Sequence, residues 1–439
     1  MKFSIDTLGC KINQSESDYI AKELLEKGLE SVSREGHPDL CIINTCTVTS
    51  QSDRKTRQLI RRIKSKNKNS KIIVTGCFTV YNREFLKSHK VDFIVNNIDK
   101  HKIPKLIEKI AGSGESLNDF DLENFSKPCC LHSRPLIKIQ DGCEQKCSYC
   151  IVPKVRGKYR SVPYREVIKK IEGFQRDGFE EIVLTGVNIG KYGIDFKNNG
   201  LDTEGKVKNL TGLLEKIIKE TKIKRIRISS IEASEIDSNF LDVLEKNKER
   251  FARHLHIPVQ SGSNMVLEFM KRPYTAEYFI EKVRAARNIF PDITLTTDVM
   301  VGFPGEGKRD FIQTAEIVRK AAFSKIHVFK FSKRLHTRAY GMDGQVSEEV
   351  KSERSKMLRD IGGKLRDKHI GNSIGKSLNV VCEEMDNKKN IISGTSENYI
   401  KVYFSPDKKD FYSVRGKILK VDAGSKYKDG LWGVLNREY

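Results

Sequence analysis

Three cysteines stand close together near the middle of the sequence. Cys143, Cys147 and Cys150 form a Cys-x-x-x-Cys-x-x-Cys pattern just after an apolar, strand-like run. A cubane iron-sulfur cluster takes four thiolates, so a loop with three leaves one iron free to bind a substrate. The spacing differs from the paired Cys-x-x-Cys of structural zinc sites, although a zinc site completed by His132 or His254 stays open. The pattern favours an iron-sulfur centre.

A second set of cysteines is spread over the first part of the chain. Cys10, Cys46 and Cys77 each follow a strand-like run by one or two residues. The carboxyl ends of parallel strands share one edge of a sheet, where ligands gather. We therefore expect these three thiols to converge on one metal centre, with Asn13 and Asn44 orienting the site.

The remaining cysteines give weaker signals. Cys41 lies inside a strand-like run and Cys382 inside a later β run, so both are expected to be buried as small apolar side chains. Cys129 and Cys130 follow Pro128 and stay ambiguous, with no ligand role favoured. In a reducing compartment none of the ten cysteines is a good candidate for a disulfide.

The elements that carry the second set of cysteines alternate between strands and helices. Residues 1–112 are predicted to form an N-terminal α/β domain with a parallel sheet. Its strand-like runs end at Leu8, at Asn44, at Thr75 and near Val95. A polar segment from Ala111 to Pro128 then indicates a linker.

A second alternation begins at Leu136, within a central domain predicted to span residues 128–371. Six strands with intervening helices predict an open, incomplete barrel. The strand-like runs are Leu136 to Gln140, Ile182 to Thr185, Ile226 to Ser229, Leu255 to Pro258, Thr294 to Met300 and Ile326 to Phe329. A charged helix ends near Gly371, and the β-rich, glycine-punctuated residues 372–439 predict a small antiparallel barrel.

Small and polar residues follow the central strands one after another. In a parallel barrel the supporting residues of a site lie at these carboxyl ends, although each glycine alone fits a simple turn. The set comprises Gly186 and Asn188 after the second strand, Ser230 and Glu232 after the third, Gln260, Ser261 and Gly262 after the fourth, and Gly302, Phe303 and Gly305 after the fifth.

The overall charge points to an anionic partner. A formal net charge of +22 over 439 residues favours a polyphosphate backbone, and RNA above all. The densest basic stretch, Arg54 to Lys71, is by itself better explained as a solvated helix face. No apolar run approaches membrane-spanning length and the first residues do not read as a signal peptide, so a cytoplasmic protein without membrane association is expected.

At the triad, with Tyr149 before its last cysteine, the sequence resembles the radical S-adenosylmethionine superfamily. The resemblance implies that the methionine amino and carboxylate groups of S-adenosylmethionine chelate the open iron. It implies that the reduced cluster cleaves the sulfonium to a 5′-deoxyadenosyl radical. Implied contacts to this cofactor are Tyr149, Gly186, Asn188, Ser230, Glu232, Gln260, Gly302 and Phe303.

The first-domain motifs make the resemblance more specific. Thr-Leu-Gly-Cys-Lys-Ile-Asn-Gln at 7–14, Asn-Thr-Cys at 44–46 and Thr-Gly-Cys at 75–77 look like the methylthiotransferases, as do residues 156–157, 229–232, 256–263 and 301–306. This resemblance implies a second [4Fe-4S] cluster on Cys10, Cys46 and Cys77 that carries a methylated sulfur. It further implies that residues 372–439 form a TRAM RNA-binding domain, and that two S-adenosylmethionine molecules are consumed.

The residues after Cys10 help to separate the branches of that family. Lys11 to Gln14 look most like the branch that acts on N6-threonylcarbamoyladenosine beside the anticodon, and residues 327–329 and 332–334 also fit it. That substrate carries a carboxylate, for which Arg334 is a candidate partner, with a phosphate contact or plain solvation as alternatives.

Other functions and partners stay open at this point. The alternatives are the isopentenyladenosine branch, a ribosomal-protein branch and a non-catalytic RNA-binding zinc protein. The expected partners are the anticodon stem-loop of tRNA, an electron donor such as flavodoxin or ferredoxin, and a sulfur donor.

Overall fold

A computed structural model describes residues 1–111, 132–196, 207–406 and 411–436. The expected linker from 112 onward, Cys129 and Cys130 lie outside the described residues. The described residues divide into two compact units. The first unit comprises residues up to 111 together with 141–145 and 150–158, and the second comprises 132–140, 146–149 and the residues from 159 onward. The three domain boundaries stay a prediction.

The strands are numbered in chain order. They are β1 Lys2–Thr7, β2 Glu30–Ser31, β3 Leu40–Thr45, β4 Lys71–Gly76, β5 Phe93–Ile94, β6 Leu136–Asp141, β7 Arg160–Ser161, β8 Glu181–Gly186, β9 Arg225–Ile228, β10 His254–His256, β11 Thr294–Val301, β12 Lys325–Lys330, β13 Ser377–Asp386, β14 Ile391–Ser396, β15 Lys401–Phe404, β16 Ile418–Tyr427 and β17 Gly430–Leu435.

The α-helices are numbered in the same way. They are α1 Lys11–Glu26, α2 Ser50–Lys66, α3 Phe78–Tyr81, α4 Arg83–Ser88, α5 Ile103–Ala111, α6 Val152–Arg156, α7 Tyr164–Arg176, α8 Leu210–Glu220, α9 Ser238–Lys246, α10 Asn264–Phe269, α11 Ala276–Ile289, α12 Lys308–Ala321, α13 Glu348–Gly371 and α14 Phe411–Val414. None of the helices in the described part of the chain is both long and apolar enough to cross a membrane.

The first unit is built on a five-stranded sheet with the order β2-β1-β3-β4-β5. Every pairing in it is parallel. The central strand β3 is buried along its whole length, because helices cover both faces. Such two-sided burial is typical of parallel sheets and places the strand ends, with the loops that follow them, at one edge. The predicted N-terminal α/β domain is confirmed.

The second unit contains the six predicted central strands. They form the parallel sets β6-β8-β9, with β7 beside β6, and β10-β11-β12. Isolated bridges from Ile226 to Phe251 and from Ser230 to His256 connect β9 with β10. The strand ends differ from the predicted ones by two residues or fewer. The result is the incomplete barrel that the sequence predicts, with an apolar core between strands and helices.

Residues from β13 to β17 form a closed barrel with the order β13-β14-β15-β17-β16, as predicted. Its pairings are antiparallel except that β15 and β17 pair in parallel, so the prediction of a wholly antiparallel barrel is wrong at this pairing. The interior of the barrel is apolar. Buried arginines join it to the central strands: Arg227 Nη2 donates to Ser396 O at 2.9 Å and Arg225 Nη1 donates to Asn379 O at 2.8 Å. Both arginines pair with the fully buried Glu181, so this carboxylate compensates part of their positive charge within the interior.

Candidate iron-sulfur and cofactor sites

The three separated cysteines of the first unit lie at one edge of its sheet. Cys10 is the N-cap of α1 after β1, Cys46 directly follows β3, and Cys77 directly follows β4. Since β1, β3 and β4 are neighbouring parallel strands, their carboxyl ends bring these residues together. The convergence expected from the sequence therefore has a structural basis in the strand order.

The thiols are close enough to influence one another. Burial raises the pKa of Cys46 to about 11, and the neighbouring Cys77 and Cys10 thiols add to this rise. Burial also raises the pKa of Cys77, while Arg156 and Lys100 act in the opposite direction. Two buried thiols, Cys46 and Cys77, beside the exposed Cys10 thiol and with cations nearby fit a metal cluster, because metal binding deprotonates thiols that otherwise stay neutral.

Within the described residues, no group of three or more His, Cys, Asp or Glu side chains could hold a single metal ion. In a cubane cluster each cysteine binds a different iron, so its thiolates need not surround one point. The donor set of Cys10, Cys46 and Cys77 fits that kind of cluster.

Two glycines allow the loops to approach this closely. A Cβ on Gly76, which has φ +98°, would lie 2.2 Å from Thr45 O. A Cβ on Gly9, at φ +103°, would lie 2.6 Å from Cys46 Cβ. Larger residues at these positions would push the cysteine loops apart.

Buried amides fix the same loops. Asn13 Nδ2 donates to Leu8 O at 2.7 Å and to Thr45 O at 2.9 Å. Asn44 Nδ2 donates to Asn13 O at 2.8 Å. Asn13 and Asn44 thus hold the backbone on both sides of Cys10 and just before Cys46, in the orienting position predicted for them.

The central cysteines lie on the loop between β6 and α6. In the first unit, the Cys143 amide donates to Gly157 O at 3.0 Å, and the Gln145 amide donates to Cys143 Sγ at 3.4 Å. Cys143 is buried, whereas Cys150 is half-buried and lies two residues before the start of the short helix α6. Backbone contacts thus fix the start of the loop next to Gly157.

In the second unit, an arginine that sequence reasoning missed stands beside Cys147. Arg272 Nη1 lies 3.5 Å from Cys147 Sγ, and the Arg272 guanidinium also pairs with the Glu232 carboxylate. Burial raises the pKa of Cys147, and the Arg272 charge opposes this rise. No spacing signal links Arg272 to Cys147, because 125 residues separate them. Glu232, a predicted site residue, is placed near the triad through this arginine.

Two further predicted residues meet in an aromatic contact. Tyr149 and Phe303 pack edge to face with ring centroids 6.5 Å apart, and Phe303 is fully buried against Phe331. Ser148 beside them donates its amide to Met270 O and its hydroxyl to Phe269 O. This packing fixes the segment between Cys147 and Cys150.

Three other predicted residues, Gly186, Asn188 and Ser230, lie at or just after the ends of β8 and β9. Asn188 is buried, and its backbone N–H donates to the side-chain oxygen Oε1 of Gln140 at 2.8 Å. Asn188 lies two residues after Gly186, which ends β8. Glu235, which the sequence did not single out, lies near Asn188, and burial followed by the charge of Glu232 raises its pKa to about 7. Ser230 is half-buried in the bridge to β10.

Backbone geometry and close packing explain why Gln260, Gly302 and Gly262, the next predicted residues, stand at their positions. Gln260 has φ +62°, and its amide and carbonyl bond to β11. The Gly302 amide donates to Glu306 Oε1 at 3.0 Å, and a Cβ on Gly302 would lie 2.2 Å from Lys351 Cγ. A Cβ on Gly262 would lie 2.6 Å from Thr314 Cα, so Gly262 serves the packing of α12.

The two histidines considered for a zinc site lie elsewhere. His254 is buried at the start of β10, where it stacks on Tyr399 with ring centroids 4.1 Å apart. His132 lies near Arg134 and Glu383, and burial lowers its pKa. These contacts give no support to the zinc site that the sequence left open.

The remaining sequence expectations are resolved by burial. Cys41 and Cys382 are fully buried, as predicted. Arg334 is only 3% exposed, so plain solvation is wrong for this residue. Most basic residues of α2 lie on its exposed side and its buried residues are Asp53, Thr56, Ile60 and Ile63, which is the solvated face favoured for that stretch.

Two family models match the chain. Residues 137–318 match the radical SAM superfamily, and residues 2–96 match the uncharacterized protein family UPF0004. The first match covers the triad and the incomplete barrel. The second covers the sheet that carries Cys10, Cys46 and Cys77.

Curated relatives match almost from end to end. The chain is 36% identical to the threonylcarbamoyladenosine tRNA methylthiotransferase MtaB of Bacillus subtilis, over 97% of this chain and 94% of the relative. It is 34% identical to a tRNA-2-methylthio-N(6)-dimethylallyladenosine synthase of Fusobacterium nucleatum, over 92% and 93%. Among solved structures, the radical S-adenosylmethionine methyltransferase TsrM of Kitasatospora setae matches with a TM-score of 0.54 at 13% identity, covering 77% of each chain, which shows a shared fold.

Proposed function

The chain belongs to the radical S-adenosylmethionine tRNA methylthiotransferases, and on that premise we propose that it replaces the C2 hydrogen of N6-threonylcarbamoyladenosine in tRNA with a methylthio group. The C2–H bond would break, with its hydrogen atom taken up as 5′-deoxyadenosine from one S-adenosylmethionine, and a C2–S bond would form to a sulfur methylated by the other, with the remaining electron passing to an iron-sulfur cluster. The enzyme uses S-adenosylmethionine and [4Fe-4S] clusters. In this proposal two clusters and two molecules of S-adenosylmethionine take part.

The observation that carries the proposal is the strand order of the first unit. Neighbouring strands β1, β3 and β4 deliver Cys10, Cys46 and Cys77 to one edge, in addition to the loop triad of the radical domain. A single radical reaction needs the triad alone. A second set of three thiols, two of them buried, supports a second cluster for the insertion of sulfur.

Each set of residues has a distinct part in this proposal. Cys143, Cys147 and Cys150 hold the cluster that, when bound with S-adenosylmethionine, supplies a 5′-deoxyadenosyl radical. Arg272 balances the charge at Cys147. Tyr149, which lies between Cys147 and Cys150 in the loop, packs against Phe303. Glu232, Asn188, Gly186, Ser230, Gln260 and Gly302 are at or near strand ends, where they are proposed to contact the cofactor.

The choice of adenosine rests on two features of this chain. Lys11 to Gln14, after Cys10, resemble the motif of the threonylcarbamoyladenosine branch. Several relatives of this chain are also named as threonylcarbamoyladenosine tRNA methylthiotransferases. Arg334 is a buried cation, which suits a substrate that carries a carboxylate. The electron donor and the sulfur donor are partners that the reaction requires.

The C-terminal barrel offers a surface for the RNA. Tyr427 packs against Trp432 and Tyr403, with ring centroids 5.4 Å and 5.1 Å away. Lys428 Nζ lies 5.1 Å from the rings of both Tyr403 and Tyr427. Tyr427 and Trp432 are partly exposed, whereas Tyr403 is buried beneath them. Partly exposed aromatic rings with a lysine nearby are typical of surfaces that bind single-stranded nucleic acid.

Replacing single cysteines tests the two-cluster proposal. In Cys10→Ala, Cys46→Ala and Cys77→Ala we expect no methylthiolated nucleoside, while reductive cleavage of S-adenosylmethionine to 5′-deoxyadenosine continues. In Cys147→Ala we expect both activities to be lost. Nucleosides from anaerobic assays on threonylcarbamoylated tRNA are measured by mass spectrometry, and iron is counted per chain.

The matched control is Cys41→Ala, a buried cysteine of β3 that lies inside the strand rather than at its end. It should keep both activities if it folds. Methylthio product from Cys46→Ala or Cys77→Ala would rule out the second-cluster role.

A further inference from the structure

A network of buried charges adjoins the Cys77 thiol in the first unit. Arg156, Lys100 and Glu16 are 3%, 5% and 7% exposed. Arg156 Nη1 lies 3.2 Å from Glu16 Oε1, and the Lys100 ammonium pairs with the other oxygen of the same carboxylate. Arg156 Nη1 also lies 2.8 Å from Asp141 Oδ1. Such a buried network is costly to maintain, so its location needs an explanation.

The network reaches each of the three cysteine loops. Arg156 Nη2 donates to Asn13 Oδ1 at 2.5 Å, and Asn13 in turn holds the carbonyls of Leu8 and Thr45, next to the Cys10 and Cys46 loops. Asn97 Nδ2 donates to Cys77 Sγ at 3.4 Å and to Val155 O at 3.2 Å, one residue before Arg156. Cys77 also packs with Val155 and Ile151 of the α6 segment.

Groups that favour a negative charge surround the Cys77 sulfur. Asn97 directs an N–H at this sulfur at 3.4 Å, and the buried cations Arg156 and Lys100 lie within electrostatic range of it, with Glu16 and the Cys10 thiol as the opposing groups. A cluster held by three thiolates, of which Cys46 and Cys77 are buried, gains a negative charge when it is reduced. Nearby cations and N–H groups directed at sulfur stabilise that reduced state, because the interior screens them poorly.

We propose that Arg156, supported by Lys100 and Asn97, is a positioning residue that raises the reduction potential of the cluster held by Cys10, Cys46 and Cys77. This rests on the proposed function, since it requires that cluster. Arg156 combines two tasks: its side chain fixes the cysteine loops through Asn13, and its charge offsets the negative charge that accumulates in the buried site. In the same unit it also bonds to Asp141, two residues before Cys143.

The test uses the full chain with Cys143, Cys147 and Cys150 replaced by alanine, so that only the first-unit cluster is present. After anaerobic reconstitution, the midpoint potential is measured by a redox titration followed by electron paramagnetic resonance. Arg156→Gln and Lys100→Gln should each shift the midpoint to more negative values. Arg156→Lys, which keeps the charge, should shift it less than Arg156→Gln.

Lys102→Gln is the matched control, because Lys102 belongs to the same segment but its side chain is 63% exposed and pairs with Asp99. Its midpoint should equal that of the parent. A purely structural role would lower the iron content and leave the midpoint of the remaining cluster unchanged, and an unchanged midpoint in Arg156→Gln or Lys100→Gln overturns the proposal. If Arg156→Gln retains no cluster, the midpoint potential of Lys100→Gln decides: a more negative value supports the proposal and an unchanged value overturns it. A parent that binds no cluster contradicts the proposed function instead.

Discussion

At the scale of residues, a buried arginine acts on a candidate ligand sulfur in each unit. Arg272 lies 3.5 Å from Cys147 Sγ, and the charge of Arg156 favours a thiolate at Cys77. A thiolate in a poorly hydrated pocket is unstable without such a partner, because burial raises thiol pKa values. The arginines therefore offset part of the cost of burying sulfur ligands.

Replacing Arg272 should damage the radical site selectively. In Arg272→Gln we expect the rate of 5′-deoxyadenosine formation to fall by about 10- to 100-fold, the usual effect of losing a partner of a metal ligand. Arg272→Lys should keep more activity, because it retains the charge near Glu232 and Cys147. The rate is measured per bound cluster under reducing conditions.

Lys271→Gln provides the control, since the neighbouring Lys271 is exposed. A wild-type rate in Arg272→Gln would show that this arginine has no part in the radical site.

The sequence allows the ligands to be predicted but not all of their partners. Cysteine spacing indicates the triad, and the position of Cys10, Cys46 and Cys77 just after predicted strands indicates the second set. Glu16 lies three residues after Asn13 on α1, so helical spacing offered a signal for it. Arg272 and Glu235 offered none, since arginine and glutamate usually lie at the surface and only the folded barrel brings them inside.

At the scale of elements, the tight exits of the strands determine where the first-unit cysteines lie. Gly76 ends β4 with φ +98° and lies against the backbone of Thr45. The positions of Cys46 and Cys77 are therefore linked through backbone contact, and the Cys77 amide donates to Thr45 O at 3.0 Å.

Gly76→Ala should displace Cys77. The added Cβ would meet Thr45 O at 2.2 Å, and the left-handed backbone is unfavourable for alanine. We expect the chain to lose about half of its reconstituted iron, that of one cluster of two, while S-adenosylmethionine cleavage continues.

Iron and acid-labile sulfide analysis measures this loss, together with the 5′-deoxyadenosine assay. The control is Gly363→Ala on α13, where a Cβ meets nothing within 4 Å. Full iron content and full methylthiolation in Gly76→Ala would contradict the proposed geometry.

Elements were the most predictable level of this structure. The six central strands and both barrels were expected because apolar runs of strand length alternate with helical patterns. The two-residue strand β2, Glu30–Ser31, was missed because both of its residues are polar and exposed. This strand forms because it pairs with β1 at the edge of the sheet, and its own sequence has no strand-like pattern.

At the scale of the whole molecule, a net charge of +22 matches a polyanionic substrate. The C-terminal barrel lies in the same compact unit as the radical barrel, and buried arginines bond the two. RNA bound at the aromatic face of Tyr427 and Trp432 is thereby held by the unit that contains the radical barrel.

Lys428→Ala should weaken tRNA binding without changing the chemistry. Loss of one phosphate contact predicts a lower affinity and a salt dependence of log K reduced by about one unit of slope. Affinity is measured by fluorescence anisotropy at several salt concentrations.

Lys388→Ala is the matched control, because Lys388 is exposed on the same barrel but outside the aromatic cluster. Equal affinities for the two variants would exclude this face as the RNA contact.

The central claim is the identity of the modified nucleoside. The most direct measurement is mass spectrometry of nucleosides from tRNA of a host that lacks its own methylthiotransferases, with and without this gene. The account predicts that methylthio-N6-threonylcarbamoyladenosine appears only with the gene and is absent for the Cys77→Ala variant. The isopentenyl counterpart in its place would contradict the assigned substrate, and the absence of any methylthiolated nucleoside would contradict the assigned reaction.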